Sequence, residues 1–172
     1  MELENKFNIE QFLNLDDYAT DTRLSRRKGA GSTQEFFTPY SIVKRMCEKI
    51  PNEDWSDPDK TFLEPCFGNG QFIIYILYNR IMHGVHWKRA LETIYGLELM
   101  NDNVLETYLR IYNLLDELDT WGIIKDYEYH DVEWVMEIMK KNLICHDFFT
   151  WNFEEWREMT EDEIKEANKK KK

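Results

Sequence analysis

One stretch of this chain limits its fold more than any other. Thr61-Phe62-Leu63-Glu64 has the length and apolar character of a short buried strand, and it runs directly into Pro65-Cys66-Phe67-Gly68-Asn69-Gly70. A strongly apolar helix is expected from Gln71 to about Met82. Strand, glycine turn and helix form the opening unit of a parallel sheet with helices packed on it. The same order then repeats. A helical piece, His86 to Glu92, leads to a strand at Thr93-Ile94-Tyr95-Gly96-Leu97. Asn101 is placed to cap the next helix, on which Val104, Leu105, Tyr108, Leu109, Tyr112 and Leu115 make a wide apolar stripe. Residues 116–141 are acidic and partly helical, with Val132, Val135, Met136 and Met139 expected inside. A third strand, Asn142-Leu143-Ile144-Cys145, stops at His146-Asp147.

The flanks are different in kind. Residues 1–35 read as an arm with one amphipathic piece, Ile9 to Leu15, and a basic run from Arg23 to Ser32. A helix is expected to start at Thr38, a good N-cap, with Pro39 at its first position, and to end at Pro51. The remainder from Asn152 is charged and closes on four lysines, Lys169 to Lys172. No internal repeat is visible. At 172 residues there is room for one domain and its core.

Charge and composition exclude several classes. Lys and Arg sum to 22 against 33 Asp and Glu, a formal charge of −11 that argues against a surface built to track phosphate backbones. Hydrophobic residues at 42% are too many for a disordered chain. The longest mostly apolar run, Phe72 to Leu77, is far below the roughly 20 residues that span a bilayer. The amino terminus lacks a secretory pattern, and three dispersed cysteines (Cys47, Cys66, Cys145) suit reduced thiols. A soluble cytoplasmic domain is expected. The cysteines and His146 have no zinc spacing, so buried thiols are expected. The basic runs and six tryptophans are read as solvated charge and as packing.

Ligands on such sheets sit at the carboxyl ends of the strands. That rule puts Glu64, the glycine turn, Glu98 and Asp147 on one rim. Gly68 and Gly70 permit positive φ and close backbone approach, and the turn opens a helix whose first N–H groups favour an anion. Equally, such turns occur in many α/β proteins with no ligand. Glu98 can accept from a ribose diol, or it can serve as a solvated helix cap. Asp147 can accept from an adenine amine beside an aromatic, or it can be an N-cap next to core phenylalanines. Together the three fit an adenosine with a charged tail. The turn has neither G-x-G-x-x-G spacing nor the Lys and Ser/Thr of a phosphate loop, which disfavours pyrophosphate.

These segments resemble the DNA adenine-N6 methyltransferases of restriction-modification type. Gln34-Glu35-Phe36-Phe37-Thr38-Pro39 is similar to their "QFFTP" segment, and Phe62 to Phe72 is similar to their first sheet motif. Ile94 to Leu99 and Asn142 to Phe148 resemble the second and third. The likeness spans roughly residues 34–150 and implies a Rossmann-like (class I methyltransferase) parallel sheet with flanking helices, truncated, and three-layered in part. It divides the chain into the arm 1–35, a cofactor domain 36–150 and a charged tail 151–172. It implies S-adenosylmethionine as cofactor. Phe37, Thr38 and Pro39 would lie near its methionine end, and Glu64, Pro65, Gly68 and Gly70 around the tail. Glu98 with Leu99 would meet the ribose, and Asp147 with Phe148 the adenine.

One part of the family pattern is missing. Those enzymes hold the target adenine with an N/D-P-P-Y/F tetrapeptide at the end of a fourth strand. All four prolines here (Pro39, Pro51, Pro58, Pro65) precede the helix at Gln71, so no residue is assigned as catalytic. The family sheet sets the first strand between the second and the fourth, so the edge near Phe62 is expected to be open. A second chain, a second copy or the chain's own tail is expected to cover it. DNA is expected only through such a complex, and no membrane. Two functions follow: the cofactor-binding part of a split methyltransferase, or an inactive relative with a regulatory, anti-restriction or scaffold role.

Overall fold

The computed structural model describes residues 7–13 and 38–169. The basic run Arg23 to Ser32, Phe37 and the last three lysines lie outside them. The amphipathic piece forms α1 (Ile9–Leu13), with Ile9 and Leu13 turned inward. Helix α2 (Tyr40–Cys47) buries Val43 and Cys47. Thr38 does not cap it. Pro39 is the boundary residue, and its carbonyl accepts from the N–H groups of Ile42 and Val43 at 2.9 and 3.1 Å. Short α3 (Asn52–Ser56) stacks Trp55 on Phe62, with 5.0 Å between rings.

The core elements follow the expected order. They are β1 (Phe62–Glu64), α4 (Gln71–Met82), α5 (Trp87–Glu92), β2 (Ile94–Glu98), α6 (Asn101–Thr120), α7 (Asp131–Asn142) and β3 (Leu143–Cys145). The strands are parallel in the order β1-β2-β3, with Phe62 opposite Ile94 and Gly96 opposite Leu143. Helix α4 is the hub and touches α1, α2, α3, α5, α6 and the sheet. Its apolar residues are buried nearly all round, and even Arg80 is enclosed, donating to the carbonyls of Asp57 and Pro58 over the Phe62 ring. Lys88 on α5 holds the buried Asp131 carboxylate of α7 at 2.6 Å. That contact, above all, keeps the Asp131 carboxyl below its usual range.

On α6 the buried face differs from the expected stripe. Val104, Tyr108, Ile111, Leu114, Leu115 and Leu118 pack inward, whereas Leu105 and Leu109 face solvent. Val132 is likewise exposed, while Val135 and Met139 are sealed. The sequence stripe was set one position off because polar residues also occupy the inner face, as described below.

The molecule is a mixed α/β domain with a three-stranded parallel sheet and flanking helices, compatible with a Rossmann-like arrangement. A third layer of helices is not formed among the described residues. Strands that step in one direction through right-handed crossovers put every crossover helix on one face. Phe62, Ile94 and Leu143 point to that face and join the main apolar cluster. Leu63, Tyr95, Leu97 and Ile144 point the other way. Leu97 is sealed but lies outside the main cluster, as does Trp151.

What covers this second face is the region after Asp147. The charged tail expected from residue 151 is structured instead. A 3-10 turn (Phe148–Thr150) leads into a hairpin of β4 (Trp151–Asn152) and β5 (Arg157–Glu158), then α8 (Glu161–Lys169). Its anchors are aromatics set among the charges. Trp156 meets Tyr95 edge-on at 4.9 Å and Trp151 at 5.4 Å, and its indole N–H donates to Lys141 O at 2.9 Å. Arg157 pairs with Glu163 at 2.9 Å and clasps the hairpin to α8.

Candidate functional site

The loops at the carboxyl ends of the strands extend the sheet's hydrogen bonding into a rim. Phe67 N–H donates to Leu97 O at 3.1 Å, and His146 N–H donates to Glu98 O at 3.0 Å. Between them the glycine turn is held very close. Gly70 has φ +84°, and a Cβ there would lie 2.6 Å from Thr107 Cγ2. At Gly96 in β2, a Cβ would meet the Phe67 ring at 2.5 Å. Gly68 also has positive φ, 55°. Glycine is needed at these positions for space and for conformation.

Glu98 ties the first two strand ends together. One carboxylate oxygen accepts from Gly68 N–H at 2.9 Å. The other accepts from Met100 N–H at 2.8 Å, just before α6, and from Asn103 Nδ2 at 3.5 Å. Glu98 therefore braces Met100, the boundary residue of α6, and the turn together, without capping the helix itself. A carboxylate has about four acceptor sites, so one is left, enough for a single hydroxyl of a diol unless the long Asn103 contact yields.

Glu64 and Asp147 complete an acidic rim. Partial burial is the main influence raising the Cys66 thiol, and the charges of Glu98, Glu64 and Asp147 raise it further. Three carboxylates acting on one sulfur surround a common spot. Burial also pushes the Glu64 carboxyl up, against a 3.4 Å bond from Cys66 N–H. Asp147 is exposed and accepts from Phe149 N–H at 2.9 Å, capping the 3-10 turn. Phe148 packs between the Phe149 and Phe153 rings at 5.4 and 5.0 Å.

The remaining sequence candidates divide. Pro65, Gly68 and Gly70 belong to the rim. Leu99 is 61% exposed and contributes its carbonyl, to which Cys145 Sγ donates at 3.6 Å. Thr38 and Pro39 start α2 and make no hydrogen bond to the turn among the described residues. The far end of that helix does approach the rim, since Glu64 helps burial push the Cys47 thiol to about 12. Phe37 lies outside the described residues. Cys66 and Cys145 are exposed, not buried as expected, because both sit on the open rim. Among the described residues no acid, thiol and imidazole cluster suits a metal ion.

Sequence reasoning missed the scaffold under the turn. Asn103, Glu106, Thr107 and Arg110 form a buried polar seam on α6. Arg110 donates to Asn69 O at 2.7 Å, Asn69 Nδ2 to Glu106 at 3.1 Å, and Thr107 Oγ1 to Gly68 O at 3.4 Å. Their signal was legible as polar residues at i, i+3, i+4 and i+7, the spacing of one helix face. Arg110 and Gln71 also reach Leu13 O, at 3.5 and 3.1 Å.

The fold and rim define a parallel α/β domain with an acidic, glycine-bearing edge at the carboxyl ends of its strands. Compared with protein-family models, curated proteins and solved structures, the chain finds no match. Among the described residues no helix is long and apolar enough to cross a membrane.

Proposed function

We propose that this chain is the S-adenosylmethionine-binding part of a DNA adenine-N6 methyltransferase whose adenine-holding segment comes from polypeptide outside these 172 residues. The observation that carries this reading is Glu98 bound to the glycine turn through Gly68 N–H at the carboxyl ends of the strands, with one acceptor site left over. Charge supports the choice of ligand. A rim with Glu64, Glu98 and Asp147 repels phosphates and favours a cation, and the sulfonium and ammonium of S-adenosylmethionine are both positive. In this reading Glu98 holds the ribose, Asp147 and Phe148 the adenine, and Glu64 with the turn the charged tail. Bound there, the cofactor supplies an electrophilic methyl group. DNA would be reached through the complex, because the chain's own charge of −11 opposes it. That charge also favours a second reading, an inactive relative acting through protein contacts.

Calorimetric titration with S-adenosylmethionine tests the proposal. Micromolar binding is expected, weakened in Glu98→Ala by about 1.5–3 kcal/mol, the worth of hydrogen bonds to a charged group. A folded chain that does not bind at millimolar cofactor removes the cofactor reading and leaves the inactive one.

A further inference from the structure

The face of the sheet away from the helices carries a groove of about 340 Å³, lined by Thr61, Phe62, Leu63, Tyr95, Phe153 and Trp156. It runs beside β1, which among the described residues has a hydrogen-bonded neighbour on one side only. Phe62 N–H turns inward to Thr93 O at 2.9 Å. Alternation along the strand therefore points the N–H and C=O of Leu63 outward, and the Leu63 side chain is 49% exposed above them. The far wall is built under strain. Trp156 has φ +49°, a conformation bulky residues avoid, and it is held there by its bond to Lys141 O and its contact with Tyr95. Asn152 Oδ1 braces the same turn, accepting from Glu154 and Glu155 N–H.

We propose that this groove and the free edge of β1 receive an extended, basic strand of a partner chain. The strand would bond to Leu63 N–H and C=O and set one bulky apolar side chain between Leu63 and Trp156. This deepens the partner half of the function proposed above and rests on that reading, but not on the cofactor. Charge selects the partner. The chain carries −11, and the cations flanking the groove, Lys60 and Arg157, are already paired with Asp54 and Glu163. Glu154, next to Phe153, is exposed with no ion pair among the described residues. A second copy would bring the same negative charge, which opposes it as the occupant.

The test uses the whole chain without cofactor, so a failure of the cofactor reading cannot imitate its result. The probe is a peptide of about nine residues, alternating lysine and valine around a central phenylalanine. Its control has alternate amides N-methylated and cannot complete a ladder. Amide exchange followed by NMR should slow at Leu63 by about tenfold or more with the probe and not with the control. Leu63→Pro should abolish binding while leaving the β1–β2 bonds intact, since the lost N–H faces outward. No slowing at millimolar peptide overturns the proposal, and so does equal binding of the N-methylated control. A chain that sediments alone as a dimer, dispersed by Leu63→Pro, makes a second copy the occupant and also overturns it.

Discussion

The two faces of the sheet are built from the same three strands and are finished very differently. On one, Ile94 and Leu143 are sealed beneath α4, α6 and α7, where burial is essentially complete. On the other, Leu63 stands half exposed and a two-stranded hairpin does the covering. The difference follows from topology. Crossovers of one hand between strands that advance one way load all their helices on one side. The second side must be closed by whatever comes next in the chain, here Trp151, Phe153 and Trp156.

Mutations should expose this contrast, and the largest effect belongs to the helical face. Ile94→Ala leaves a cavity in a close-packed core and should cost about 3–4 kcal/mol in urea unfolding. Trp156→Ala removes the anchor of the open face and should cost about 2–3 kcal/mol. Trp156→Gly should cost about 1 kcal/mol less than the alanine variant, because glycine accepts the positive φ. Equal losses in the two variants would show that this backbone is not strained. Leu63→Ala, although in the same strand as Phe62, should cost under about 1 kcal/mol.

The smallest effects have opposite pH signs on the two sides. Glu163 on α8 is held at about 2, first by Arg157 and then by Thr160. Its contribution is present above its unfolded value near 4.5 and is lost as pH falls toward 2. Thermal melts of Glu163→Gln should therefore lie below the parent at pH 7 and converge with it on acidification. Glu64 at the rim is raised by burial, so its contribution is complete below 4.5 and fades as pH rises through the folded value. Glu64→Gln should melt above the parent at pH 7, with the gap closing below 4.5. A Glu64→Gln gap of the same sign as Glu163→Gln would contradict the burial assigned to Glu64.

Much of the helical face was legible in the sequence. The strand–turn–helix at Phe62 to Met82 and the strands at Ile94 and Leu143 rest on local apolar runs and turn chemistry, which a sequence displays directly. The hairpin was not legible. Its aromatics are spaced by Asn152, Glu154 and Glu155 and followed by Arg157, and their packing depends on a surface about 60 residues away at Tyr95, so composition alone reads as tail. On the rim, Glu98 and the glycines were visible as types. The seam on α6 was hidden because buried Asn103, Glu106, Thr107 and Arg110 look like a solvated face until the glycine turn is set against them. That also displaced the apolar stripe onto Leu105 and Leu109.

The bonds from Gln71 and Arg110 to Leu13 O bear on the order in which the chain assembles. They join residues 58 and 97 apart in sequence. A five-residue helix has no stability of its own, so α1 can form only on a surface already built by α4 and α6. Contacts of such long separation form late in folding and open early. In native-state hydrogen exchange, the amides of Phe12 and Leu13 should open at a small fraction of the global unfolding free energy. The helix at the front of the chain is thus the last to join and the first to leave.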